Sequence, residues 1–202
     1  MGEGGSGKSE VLSSLRLMPE IADSSVVTAY LDFSIPANID SELGLFSMRS
    51  ELIRHYKMDF SFFDVAYASY LLRTNPNAAI GRELDLYSNS RILGEVLGIA
   101  GAKGSEFSDR LFYTVERGKP AVSQWWKNGG GAEFSRLSNE NPEFIRKSLI
   151  QQWAKDVRNA LNGRKCVIMI DSFENIYLSK TLTFSAIWIK ELMKEKVRVL
   201  DR

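Results

Sequence analysis

One cysteine, Cys166, and one histidine, His55, are all that this 202-residue chain offers of the two commonest transition-metal ligands. A lone thiol excludes an internal disulfide and any cysteine-rich metal site, and it suits a reducing interior. A lone imidazole excludes a histidine metal cluster, so His55, one residue from an apolar helical position, reads as a structural or surface residue. An excess of one charge is missing too. The 26 basic residues nearly balance the 25 acidic ones, leaving a formal charge of +1, and no net field favours nucleic acid or an anionic membrane. Long hydrophobic runs are also missing: the longest strongly apolar stretch, Cys166–Ile170, has five residues and cannot span a bilayer. A polar glycine loop stands where a secretory leader would be, which makes the cytoplasm the expected compartment. No internal repeat is detectable.

What is present is ordinary globular material, 44% hydrophobic and 25% charged, with enough length for one or two domains and a sizeable core. The most specific stretch comes first. Gly2-Glu3-Gly4-Gly5-Ser6-Gly7-Lys8-Ser9 fits the phosphate-binding loop pattern G-x-x-x-x-G-K-S/T. Glycines let the backbone take positive φ and turn several N–H groups into a concave nest for a polyphosphate. By this reading Gly2, Gly4, Gly5, Ser6 and Gly7 line the cradle, and Lys8 brings a mobile point charge to the β- and γ-phosphates. The Ser9 hydroxyl is offered to Mg²⁺ at the start of a helix, whose positive end faces the anion. The same glycines also suit a flexible linker. Against the linker stand Val11, Leu12 and Leu15, which continue at helical spacing as a helix packed on a sheet requires.

Further along, Val26–Phe33 is β-branched and aromatic with little alternation, which suits a strand covered on both faces, as in a parallel sheet. Ser41–Tyr56 reads as an amphipathic helix with Leu43, Phe46, Leu52, Ile53 and Tyr56 near one stripe. Phe60–Leu72 is dense in aromatics, either a buried helix or a partner surface. Residues 78–141 alternate short helical patterns (Ile92–Ile99, Phe107–Val115) with breakers at Gly101, Gly104, Gly118-Lys119-Pro120 and Asn128-Gly129-Gly130-Gly131, and are expected to form a helical insertion or small subdomain. Trp125-Trp126 beside that glycine tract is either a binding platform or a pair of core plugs. Asn141-Pro142-Glu143 opens a long helix to about Leu161, closed by Asn162-Gly163.

An apolar strand follows, Cys166–Ile170, ending in Asp171-Ser172-Phe173-Glu174. Phosphate-loop enzymes use an aspartate at the end of such a strand to hold Mg²⁺ opposite the loop hydroxyl. Asp171 is therefore the candidate metal carboxylate beside Ser9, and Glu174 the candidate general base for an attacking water. The competing roles are a turn residue or helix cap for Asp171 and a first-turn carboxylate facing the helix dipole for Glu174. Ile176–Met193 is helical again, and Val197–Leu200 looks like another strand.

The loop, the Val26–Phe33 strand and the Val167-Ile168-Met169-Ile170-Asp171-Ser172-Phe173-Glu174 segment together resemble the ASCE division of phosphate-loop NTPases. Within it they look most like the STAND class of signalling ATPases, near the NACHT-like and AAA-type branches. The acid three residues beyond Asp171 is similar to the NACHT pattern, and the aromatic helix Phe60–Tyr70 looks like bacterial members of the group. The resemblance implies an α/β three-layer sandwich with a parallel sheet of order 5-1-4-3-2, in which the three recognisable strands are strands 2, 3 and 4. Strands 1 and 5 and a γ-phosphate-sensing arginine are not found in the sequence, so the chain is expected to be a single partial domain, 1–202, of a larger protein. The implied function is Mg-ATP binding with slow, regulatory hydrolysis. The implied cofactors are ATP and Mg²⁺. Expected partners are the nucleotide and other protein domains or further copies of the chain, with neither nucleic acid nor membrane. The competing class is a non-catalytic, truncated interaction module with a degenerate nucleotide site. A GTPase is disfavoured by the missing Asn-Lys-x-Asp motif, and a transport ATPase by the missing Leu-Ser-Gly-Gly-Gln signature.

Overall fold

The computed structural model describes residues 10, 11, 14, 25–74, 90, 92, 107–118, 120–175, 187–194 and 198–201. The phosphate-loop motif at Gly2–Ser9 lies outside the described residues, as does most of 75–106. In chain order the regular elements are β1 (Val26–Asp32), α1 (Ser41–Tyr56), α2 (Ser61–Thr74), α3 (Phe107–Glu116), α4 (Pro120–Trp125), α5 (Gly131–Ser138), α6 (Pro142–Leu161), β2 (Lys165–Asp171), α7 (Ile187–Lys194) and β3 (Arg198–Asp201). The fold is mixed α/β, mostly helical, with a small parallel sheet. The chain divides into two compact units, one made of Met1–Met58 with Val157–Arg202, the other of Asp59–Asp156.

The first unit holds the sheet. Its strand order is β1-β2-β3, and both pairings are parallel. Val26 pairs with Lys165 and Asp32 with Asp171, while Val167 pairs with Arg198 and Ile170 with Asp201. Val27, Thr28 and Ala29 are consecutive and all buried, as are Ile168, Met169 and Ile170, so both strands are covered on both faces. That is the burial expected of parallel strands, and it explains why neither run alternates. At the outer edge of β1, side chains of α1 take the place of a further strand. Thr28 N–H donates to the Tyr56 hydroxyl at 3.0 Å, and Tyr30 N–H donates to Glu51 Oε2 at 2.7 Å. An unpaired strand edge is a pairing hazard, and here the outward amides of Thr28 and Tyr30 are closed.

Helix α1 begins and ends where the sequence places it, but its buried stripe runs through Leu45, Met48 and Leu52, whereas Leu43, expected on that stripe, is exposed. The stripe is shifted because Gly44 sits against the loop carbonyl of Asn38 and the ring of Trp188. A Cβ there would lie 2.8 Å from the carbonyl oxygen and 3.0 Å from the ring. Trp188 of α7 is buried, meets Phe33 edge-on at 6.3 Å between centroids, and donates its indole N–H to the Ile39 carbonyl at 3.3 Å.

The second unit is helical in its described parts. Helix α2 is buried on nearly every side, from Ser61 through Ser69, which identifies the aromatic stretch as core. Phe63 stacks on Tyr67, Phe60 packs on Phe63 and Trp153, and Phe62 packs on Trp125. Asn141 caps α6, its side-chain oxygen accepting the Phe144 N–H at 2.8 Å, with Pro142 at the first helical position. At the other end of that helix Asn162 and Gly163 take positive φ, and the Arg164 guanidinium donates to the carbonyls of Ala160 and Leu161. The Arg73 guanidinium donates to the carbonyls of Ser138 and Glu140, closing the end of α5.

The glycine tract, expected to break the chain, kinks it: Asn128 and Gly129 leave helical geometry, Gly129 at φ +99, and the chain resumes as α5 from Gly131. The Trp125 ring lies on Gly130 and the Trp126 ring on Gly131, closer than any Cβ would allow. Trp125 is buried and serves as a core plug, while Trp126 is half-buried, packed between the exposed Phe112 and the buried Phe134. The insertion expected over 78–141 includes residues outside those described, and the compact unit around it is wider, Asp59–Asp156.

Candidate functional site

In an open parallel sheet, ligands collect beyond the carboxyl ends of the strands. Here each strand ends in an aspartate, Asp32 on β1, Asp171 on β2 and Asp201 on β3, and the register sets Asp32 and Asp171 directly opposite one another. Neighbours in register on parallel strands project to the same face of the sheet. Tyr30, two residues before Asp32, shares that face as well.

Asp171 is buried, at 7% exposure. Its Oδ2 accepts the Tyr30 hydroxyl at 2.8 Å, and its Oδ1 accepts the N–H of Ser172 at 2.8 Å. Two donors on opposite oxygens fix the plane of the carboxylate. Asp32 is engaged differently. Both its oxygens are taken by Ser34, Oδ1 by the N–H at 2.8 Å and Oδ2 by the hydroxyl at 2.7 Å, and its own carbonyl accepts the Asn38 side-chain amide at 2.8 Å. This is the local side-chain turn that starts the loop after β1.

Beyond Asp171 the chain turns sharply. Ser172 sits at φ +57, and Asn175 N–H closes on the Ser172 carbonyl at 3.0 Å. The Asn175 side chain then donates to the Phe33 carbonyl at 3.2 Å, while Phe33 N–H bonds the Asp171 carbonyl at 3.0 Å. Phe173 packs on Phe33 at 6.1 Å, so the turn after β2 is held onto the end of β1. Glu174 emerges from this turn exposed, in a short helical start.

Of the residues singled out in the sequence, Asp171 and Glu174 are described, and they occupy a buried strand end and an exposed helix start respectively. Gly2, Gly4, Gly5, Ser6, Gly7, Lys8 and Ser9 lie outside the described residues. His55 is exposed and leans edge-on against Tyr56. The sequence reading missed Tyr30 and Glu51. The available signal was the alternation of Tyr30 and Asp32 at the end of a strand, which puts both on one face.

Cys166 is buried and its thiol is pushed up to about 12 by burial, so it is not a nucleophile at neutral pH. Among the described residues no group of three or more His, Cys, Asp or Glu side chains gathers to hold an ion. Mg²⁺ does not need one, because it binds through one or two protein oxygens and completes its shell with water and phosphate oxygens. A single oriented carboxylate at a strand end fits that demand. Among the described residues no helix is long and apolar enough to cross a membrane. Comparison with protein-family models, curated proteins and solved structures gives no match to this chain.

Proposed function

We propose that this chain is the nucleotide-binding part of a regulatory ATPase of the phosphate-loop type, near the STAND class, that binds Mg-ATP and hydrolyses it slowly. The observation that carries the reading is Asp171, a buried, doubly hydrogen-bonded carboxylate at the carboxyl end of the middle strand. In the order 5-1-4-3-2, strand 3 lies between strands 4 and 2, and β2 lies between β3 and β1 in the same parallel sense. That agreement supports the reading, and the Gly2–Ser9 motif supplies the other half of it.

In this reading the amides of Gly2, Gly4, Gly5, Ser6 and Gly7 receive the phosphates, and Lys8 neutralises their β- and γ-oxygens. Ser9 and Asp171 are the oxygen ligands that would hold Mg²⁺, directly or through its waters. The ion would supply charge stabilisation at the γ-phosphate. Glu174, exposed beside the strand end, would take the proton of the attacking water. The nucleotide state would then set the conformation of the chain or its association with other protein domains or further copies.

The experiment is equilibrium binding of ATP in the presence of Mg²⁺, on the protein expressed from its complete reading frame, with and without Lys8→Ala. Losing the loop's only side-chain cation removes a charge-assisted phosphate contact and should weaken binding by about 1.5–3 kcal/mol. Equal affinity in the two proteins would return the glycine run to the role of a linker.

A further inference from the structure

A carboxylate that orders a metal is only as well placed as the groups that hold it. For Asp171 the sequence-local support includes the N–H of its own neighbour Ser172 on Oδ1. The other oxygen is held from a different strand, by the Tyr30 hydroxyl at 2.8 Å. Tyr30 is itself fixed at its main chain. Its N–H donates to Glu51 Oε2 at 2.7 Å, and β1 around it is locked to β2 from Val26↔Lys165 to Asp32↔Asp171. The phenol therefore reaches Asp171 from a backbone that cannot easily slide, and rotation about its two side-chain torsions is all that is left to it.

We propose that Tyr30 is a positioning residue for the metal-ordering carboxylate, its hydroxyl setting the rotation at which the Asp171 carboxylate meets Mg²⁺ and its waters. The proposal rests on the reading of Asp171 given above. Hydrogen-bond partners behind a ligating group commonly change metal affinity by about 10–100-fold when removed. Where the ion is reached partly through water, the lower end of that range applies. A purely structural tyrosine would act otherwise, because its loss would lower stability and weaken binding with or without the metal.

The test is the Mg²⁺ dependence of nucleotide binding, read by equilibrium titration of ATP in magnesium and in EDTA, on the protein expressed from its complete reading frame. Tyr30→Phe keeps the ring and removes the donor. It should leave affinity in EDTA unchanged and raise the Mg²⁺ concentration for half-maximal enhancement about tenfold. Asp171→Asn, run alongside, should abolish the enhancement. If Asp171→Asn loses the enhancement while Tyr30→Phe keeps the parental Mg²⁺ dependence, Tyr30 has no positioning role and the nucleotide reading stands. If Asp171→Asn also keeps it, the reading of Asp171 falls and the role of Tyr30 falls with it. An equal loss in EDTA and in magnesium for Tyr30→Phe would overturn the proposal in favour of a general effect on the fold. Should Tyr30→Phe not fold, 4-fluorophenylalanine at position 30 fills the space of the hydroxyl without a donor, and the same rise of about tenfold in the Mg²⁺ requirement is expected. A parental Mg²⁺ dependence in that protein would overturn the proposal.

Discussion

Asp156 accepts the main-chain N–H of Phe63 on its Oδ2 at 2.8 Å, so a carboxylate on α6 caps the first turn of α2, a helix otherwise buried on nearly every side. The main chain of Phe62 adds to this cap. Asp156 is only 3% exposed. Burial is the largest influence on it and holds its pKa well above the usual carboxylate range. The hydrogen bonds from Phe63 and Phe62 oppose this, and the nearby charges of Asp64 and Asp59 add to it.

The sign of the resulting pH dependence follows directly. The native state keeps a proton that the unfolded chain has already released, so between the unfolded and folded pKa values stability falls as pH rises. Asp156→Asn cannot ionise, and its side-chain oxygen still accepts the Phe63 N–H. Urea unfolding from about pH 4 to about pH 7 should show a shallower loss for the variant, by about 1.4 kcal/mol per unit of pKa elevation. Parallel profiles for the two proteins would show that Asp156 is not the titrating group.

The kink within Trp126–Gly130 yields a second prediction. A Cβ on Gly130 would stand 2.3 Å from the Trp125 ring and 2.7 Å from the Trp125 carbonyl oxygen, and the latter is backbone that cannot swing away. Gly130→Ala should destabilise the protein by about 1–3 kcal/mol, although alanine is the better helix former by about 1 kcal/mol. Chemical denaturation followed by tryptophan fluorescence measures it. A variant as stable as the parent would mean that the indole does not rest on the glycine.

For the proposed chemistry, Glu174→Gln separates binding from turnover. The amide keeps the size of the side chain but cannot accept the proton of the attacking water. Single-turnover hydrolysis should therefore slow by about 10²–10⁴-fold while equilibrium ATP affinity stays near the parental value. Hydrolysis at the parental rate would leave Glu174 as a helix-start carboxylate in the turn after β2.

Local signals made much of the fold legible. The unalternating runs at 26–33 and 166–170 marked strands buried on both faces, and the structure places β1 at Val26–Asp32 and β2 at Lys165–Asp171. Helices α1 and α6 begin and end within a residue of the sequence boundaries, because their start and stop signals, Asn141-Pro142 and Asn162-Gly163 among them, act through nearest neighbours. Where a signal depended on what lay across the gap, it misled. Leu43 is exposed because Gly44 admits Trp188 from far along the chain, and Gly130 and Gly131, beside the kink, receive the indoles of Trp125 and Trp126, a packing role that the run of glycines alone does not reveal.

The candidate site divides in the same way. The sequence alone determined that an acidic residue ends the apolar strand and that a phosphate-loop motif precedes it, because both are patterns of adjacent residues. Only the tertiary structure decided that Tyr30 holds Asp171, that Asp32 is tied to its own turn by Ser34, and that Glu51 and Tyr56 close the edge of β1. Those relations depend on which strands pair and in what register. Register is set by how whole faces bury against one another, and no short window of sequence contains that information.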